Sequence, residues 1–267
     1  MKKVLIFCLA MLVCNCLFAQ TKKWKLAWSE EFNYTGLPDS SKWSFETKGN
    51  SYGWGNNEKQ FYTSNNSSNA FVSNGTLKIT ALKQTMEKKP YTSARLSSAK
   101  KAEFQYGKFE IRAKLPAGKG TWPAIWMLGN NIGNTKWPDC GEIDIMEHVG
   151  YDKDSIHGTI HSAAYNHVIG TQKGKAIFIK DPYTAFHVYA ILWTKDKMDF
   201  MVDGVVYNSI LNEHLTAKEW PFDQPFYFIL NLAIGGNWGG KHGIDDTIFP
   251  AVMEVDYVRV YQQKNKK

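Results

Sequence analysis

The chain has 267 residues, 43% hydrophobic and 21% charged, which excludes a disordered or fibrous protein and allows one large domain or two small ones. Its formal charge is +7, yet outside the Lys264–Lys267 end the basic residues are scattered. No stripe of Lys and Arg with interleaved aromatics occurs, so the pattern speaks against nucleic acid and fits a neutral partner better.

Lys2 and Lys3 precede an apolar run, Val4–Leu12, and Leu17-Phe18-Ala19-Gln20 puts a small residue before a cleavage point. Residues 1–19 therefore read as a signal peptide, too short for a comfortable transmembrane span. The mature chain is expected to begin near Gln20 and to be secreted or periplasmic. A lipid anchor at Cys16 is the alternative, although Asn15 is not the usual small residue before such a cysteine. Loss of Lys2 and Lys3 takes the charge from +7 to +5. Loss of Cys8, Cys14 and Cys16 leaves Cys140 alone, which excludes an intrachain disulfide and a multi-cysteine metal site. Cys140 reads as a buried thiol, since no activating base is evident.

Residues 20–263 read as a single domain and 264–267 as a basic tail. Alternation of period two dominates Thr76–Leu82, Gly107–Leu115, Phe186–Trp193 and Met253–Tyr261, which predicts half-buried strands. Turn signals separate them: Asn74-Gly75, Pro116-Ala117-Gly118, Asp203-Gly204 and Gly235-Gly236-Asn237. Asp203-Gly204 predicts a hairpin between Met198–Val202 and Val205–Tyr207. Helical periodicity is scarce, with one short turn expected within Leu211–Glu219. The economical fold is all-β, a sandwich of two antiparallel sheets. The 10 Trp and 13 Tyr leave two readings open, core packing and stacking on sugar faces.

Gly141-Glu142-Ile143-Asp144-Ile145-Met146-Glu147-His148 holds three carboxylates among large apolar residues. On a helix the three would point apart. On a strand Glu142 and Asp144 share one face, and Ile143 and Ile145 enter the core. Glu147 is out of phase by one residue. A β-bulge at Ile145-Met146 would return it to the face of the other acids. Crowded carboxylates raise at least one pKa, which suits paired general acid and nucleophile chemistry. An ion-paired strand and a metal site with His148, His157 or His161 are the competing readings.

The residues beyond this strand carry a resemblance. Trp54-Gly55-Asn56-Asn57-Glu58-Lys59-Gln60-Phe61-Tyr62-Thr63, Tyr91-Thr92-Ser93-Ala94-Arg95-Leu96, Tyr106-Gly107-Lys108-Phe109-Glu110, Trp122-Pro123-Ala124-Ile125-Trp126-Met127, Asn231–Trp238 and Val255–Tyr261 lie around the acidic motif in family order. The chain resembles the bacterial laminarinases of glycoside hydrolase family 16, endo-acting β-1,3-glucanases, over nearly its whole mature length. The resemblance implies a jelly-roll sandwich with a concave substrate groove and hydrolysis with retention of configuration. It implies Glu142 as nucleophile, Glu147 as acid/base and Asp144 as their support, with the outer carboxylates roughly 5–5.5 Å apart.

The same resemblance implies a β-glucan partner and no cofactor for the chemistry, and the chain is expected to be a monomer. Mixed-linkage β-1,3-1,4-glucan is the alternative substrate, and a non-catalytic glucan-binding sandwich is the alternative from another class. Asn56 and Glu58 sit in a segment resembling a substrate-contacting loop, with Asn56 a candidate sugar contact; Arg95, at a groove arginine position, is a candidate contact to sugar hydroxyls or the nucleophile's carboxylate, with a structural ion pair as the competing role. Trp122 and Trp126 lie in phase on one strand, so both can face the groove, with core packing as the competing role. His161 shares a strand face with His157 and is read either as a sugar or acid contact or as a structural histidine. Trp238 is a candidate platform at one end of the groove. A structural calcium is implied at Glu31, the backbone of Gly75, and Asp256.

Overall fold

The computed structural model describes residues 24–50 and 52–263. The expected signal peptide at 1–19, its alternative, an anchor at Cys16, and the expected basic tail at 264–267 lie outside the described residues.

The first nine strands are β1 (Trp24–Glu30), β2 (Ser44–Phe45), β3 (Gln60–Tyr62), β4 (Ala70–Ser73), β5 (Thr76–Ala81), β6 (Tyr91–Ser93), β7 (Arg95–Ser97), β8 (Glu103–Phe104) and β9 (Gly107–Lys114). Then follow β10 (Thr121–Gly129), β11 (Glu142–Glu147), β12 (Ser155–His161), β13 (Lys173–Phe178), β14 (His187–Trp193), β15 (Lys197–Val202), β16 (Val205–Leu211), β17 (Phe226–Ile234) and β18 (Ala251–Gln263). One antiparallel sheet runs β16-β15-β14-β9-β18-β5-β4, with β1 also on β18. The other runs β13-β12-β11-β10-β17-β7-β2, with β8 also on β17. β3 and β6 form a small parallel pair. The expected two-sheet sandwich is therefore present.

Side-chain alternation explains why these segments form strands. β9 buries every second residue, and Phe109, Ile111 and Ala113 enter the space between the sheets. β5 does the same with Leu77, Ile79 and Ala81. Fully burying an Ile or Phe side chain contributes about 1.5–3 kcal/mol relative to exposure, so this inner layer drives the stacking. β17 is buried on both faces along its nine residues. It lies between β10 and β7, with Phe228 and Leu230 in the core and Asn231 and Ala233 on the opposite side.

The turns follow their residues. Asn74 and Gly75 take φ of 52° and 72°, and Ser73 pairs with Thr76 across them, the geometry of a two-residue hairpin with both central φ positive. Asp203-Gly204 joins β15 to β16 in the predicted hairpin. Within Leu211–Glu219, β16 extends through Leu211, and one short turn closes on Thr216, whose C=O accepts from the N–H groups of Glu219 and Trp220. No helix among the described residues is long and apolar enough to cross a membrane.

Candidate active site

The acidic segment forms β11, between β10 and β12. Asp144 pairs with Thr159 and Glu147 with His157, so two residues, Ile145 and Met146, stand opposite Gly158 alone. This is the β-bulge that the phase of Glu147 required. Ile143, Ile145 and Met146 all sit in the core. Glu142, Asp144 and Glu147 all face a cleft of about 320 Å³ on the other side of the sheet.

The three carboxyls are held out of water and close together. Burial, then the charge of Asp144, pushes Glu142 up to about 8, while His161 and Arg95 act the other way. Burial pushes Asp144 up to about 8. Burial, then Asp144, pushes Glu147 up to about 8, opposed by His161 and by the indole N–H of Trp122. Three such groups cannot all be ionised at neutral pH, so the cluster holds protons that it can donate.

His161 is the cross-strand partner of Glu142. Its Nε2 lies 3.3 Å from Asp144 Oδ2 and 3.7 Å from Glu142 Oε1. Its buried Nδ1 has no partner among the described residues. A buried N–H without an acceptor is costly, so the ring proton belongs on Nε2, pointing at the carboxylates. Glu142, Asp144 and His161 are near enough to hold a metal ion. Ligation through Nε2 would move the proton to Nδ1, where no acceptor waits. Metal-bound histidines normally donate that second N–H. The trio therefore suits hydrogen bonding better than metal binding.

The aromatic candidates divide by function. Trp122 lines the cleft and donates its Nε1–H to Glu147 Oε1 at 3.1 Å. Trp126 also lines it, anchored by a bond from Nε1 to Asn231 Oδ1 of 2.7 Å. Trp238 packs edge-on against Trp122 and His157, with centroids 5.6 and 4.9 Å apart. Asn56 is in the cleft wall. Arg95 lines the cleft too, but its Nε donates to Glu46 at 2.6 Å, and Trp54 and Trp126 flank its guanidinium at 4.7 Å each. The arginine is thus held between two rings and ion-paired through Nε, and its two terminal NH₂ groups remain as donors for a sugar hydroxyl or a cleft carboxylate.

Trp54, Trp137, His167 and Asn231 also line the cleft and were not singled out from the sequence. Trp54 opens the Trp54–Thr63 segment. What marks it is its φ of 60°, unusual for a bulky residue and typical of functional loops. Trp137 and His167 come from two loops far apart in sequence, and their rings meet at 5.1 Å beside His161. Only tertiary pairing reveals them.

The positions implied for calcium converge on the other sheet. β18 pairs with β5 up to Val255–Leu77 and with β1 from Val258–Glu30, so Glu31, the Gly75 turn and Asp256 meet in the gap between β5 and β1. Asp256 is itself the irregular residue of β18 against β9. Glu31 receives two bonds from Arg259, at 2.9 and 2.8 Å, and Asp256 Oδ2 pairs with Arg112. Backbone carbonyls and Asp256 Oδ1 are the oxygen donors these ion pairs leave over.

Residues 57–259 match the family model described as glycosyl hydrolases family 16. The chain is 52% identical to a beta-glucanase of Rhodothermus marinus, over 90% of this chain and 85% of that protein. Among solved structures, the laminarinase of Rhodothermus marinus superposes with a TM-score of 0.88 at 50% identity, covering 91% of this chain and 99% of that one. A non-specific endo-β-1,3(4)-glucanase superposes with a TM-score of 0.86 at 49% identity, covering 90% and 92%.

Proposed function

This chain belongs to glycosyl hydrolases family 16, and from that membership we propose that it is a retaining endo-β-1,3-glucanase acting on laminarin-type glucan. The observation that carries the assignment is the bulged strand β11, which presents Glu142, Asp144 and Glu147 together in one cleft while its isoleucines stay in the core.

In the first step the Glu142 carboxylate attacks the anomeric carbon as Glu147 protonates the departing glycosidic oxygen. In the second, Glu147 takes a proton from water, the water attacks the same carbon, and Glu142 leaves. His161 and Arg95 favour the charge on Glu142, which fits it for attack. Asp144, between the glutamates, supports Glu142 and tunes its protonation, since its charge raises the pKa of Glu142. Trp122 and Trp126 offer ring faces to glucosyl units, and Asn56 a polar side chain.

Mixed-linkage β-1,3-1,4-glucan is the second reading, favoured by the likeness to the non-specific endo-β-1,3(4)-glucanase. Product profiles on laminarin, mixed-linkage glucan and agarose separate these substrates. Reducing-sugar release should vanish in Glu142→Gln and Glu147→Gln while laminarin binding persists. A wild-type protein that bound laminarin and released no sugar would sink the hydrolase assignment.

Export with cleavage before Gln20 belongs to the same proposal, with a lipid anchor at Cys16 as its alternative. The amino-terminal sequence of the mature protein distinguishes them. A structural calcium between β1, the β4–β5 turn and β18 would be held by the carbonyls of Glu31 and Gly75 and by Asp256, and would tie distant segments together.

A further inference from the structure

We propose that the edge strand β13 carries an outer subsite, in which Phe178 stacks on a glucosyl ring of the departing arm of the chain, beyond the cleft that holds the acids. The inference rests on the glucanase reading and extends it to a strand that the cleft does not reach.

The register of the sheet places this strand. Ile156 and Ile160 of β12 enter the core, and Ile177 of β13 packs against it. The opposite face of β12 therefore carries Ser155, His157 and Thr159, which pair with Phe178, Ala176 and Gly174 of β13. On their other side Thr159 pairs with Asp144 and His157 with Glu147. The face that bears the acids thus continues to Gly174, Ala176 and Phe178, about 10 Å from β11 at the usual strand spacing. None of these three residues lines the cleft itself.

The continuation has a low floor and one raised side. Gly174 and Ala176 are exposed and present little or no side chain. A Cβ on Gly174 would lie 2.6 Å from Thr159 Oγ1, so this rung of the floor has no room for a larger residue. Phe178 stands at the side, 67% exposed. Its backbone is fixed by the pairing with Ser155 and by the bond from Ile179 N–H to Asp154 C=O, 2.8 Å long. An exposed phenylalanine by itself needs no explanation. Its neighbours give this one a role. Ser155, opposite the ring, donates to Asp152 Oδ1 at 3.2 Å, and Asp152 Oδ2 lies 3.5 Å from His157 Nε2. The Asp152 side chain stays 46% exposed. An apolar ring face beside a hydroxyl, a carboxylate and an imidazole matches a pyranose, with its C–H face and its rim of hydroxyls.

The position along the strands selects the arm of the chain. Ser155 lies two residues past His157, so Phe178 stands beyond the Glu147 end of β11, away from Glu142. Glu147 protonates the departing oxygen, and the fragment on its side is the one that leaves with the reducing end. His157 links the two places, since it pairs with Glu147 and touches Trp238 at 4.9 Å.

Phe178→Ala, at an exposed position, should fold as wild type does. A β-1,3-linked glucose hexasaccharide labelled at its reducing end is the probe. In Phe178→Ala its kcat/KM should fall by about tenfold, mainly through KM, the scale of one lost ring contact. Cleavage should shift toward the reducing end, to bonds whose departing fragment no longer spans β13. Phe178→Tyr keeps the ring and should retain the wild-type rate and pattern. An unchanged rate and pattern in Phe178→Ala, a shift toward the other end, or equal losses in both variants would each overturn the proposal. So would a wild-type dimer that Phe178→Ala converts to monomer in sedimentation, since a second copy would then cover the ring. Wild type inactive on laminarin and on the hexasaccharide would instead overturn the glucanase reading, and the subsite with it.

Discussion

The indole of Trp122 donates a hydrogen bond to Oε1 of Glu147 at 3.1 Å, so a ring that lines the cleft also holds the proposed acid/base. The bond favours the charged form of Glu147. Trp122→Phe keeps a ring and removes the donor. The pKa of Glu147 should rise, and the alkaline limb of the kcat/KM profile should move to higher pH. Activity should fall by about tenfold, the scale of one lost hydrogen bond to a charged group. An unmoved alkaline limb would show that the contact does not tune the acid.

The carboxyl cluster should make stability fall with rising pH. Glu142 and Glu147 titrate near 8 when folded and near 4.5 ordinarily, so the folded state binds their protons more tightly. That advantage is whole below about pH 4 and is lost as pH rises through the folded value near 8. Glu142→Gln or Glu147→Gln carries no such loss. Each variant should match wild type near pH 4 and gain about 1–2 kcal/mol over it at pH 8, as active-site neutralisation commonly does. Urea melts at both pH values test this, and parallel curves at both would refute it.

His161 should act on catalysis through Glu142 and Asp144. Its Nε2–H faces both carboxyls. His161→Leu removes that donor, raises the pKa of Glu142 and should shift the acid limb of kcat/KM to higher pH. The rate should drop by about 10- to 100-fold, typical of a lost orienting group in a buried site. His161→Gln, which retains an N–H donor, should recover part of it. Equal losses in both variants with fixed pH limbs would assign His161 to packing alone.

Calcium, if it binds between β1, the β4–β5 turn and β18, should stabilise without touching the chemistry. Free calcium at about 100 times its Kd would add about 2.7 kcal/mol. EDTA should therefore lower the melting temperature and excess calcium restore it, with kcat at 25 °C unchanged. A melting curve indifferent to both would remove the ion and leave the ion pairs Arg259–Glu31 and Arg112–Asp256 to hold this region.

The sequence was most informative where alternation met a constraint. In β11, Ile143 and Glu142 separate two faces, and the misplaced Glu147 demanded the bulge that β11 displays opposite Gly158 of β12. The four alternating segments form strands with boundaries shifted by one or two residues at most ends. Arg95 shows the limit. Its position was legible, but its clamp between Trp54 and Trp126 depends on a loop and two strands meeting in space. Trp137 and His167 were missed for the same reason, since loop residues carry no periodicity to read. The β18 strand extends beyond its predicted ends because it borders β9, β5 and β1 in succession.

The bulge in β11 also bears on how this segment tolerates a change of length. Deleting one residue from a strand normally inverts every side chain after the cut. Here removal of Met146 would leave Glu-Ile-Asp-Ile-Glu, a regular alternation with all three acids on one face and the last glutamate still opposite His157. The packing of Met146 would be lost, but the chemistry-bearing face would survive. Two lengths of chain thus encode one arrangement of acids, and an insertion or deletion at this point is a path between them that need not pass through an inactive protein.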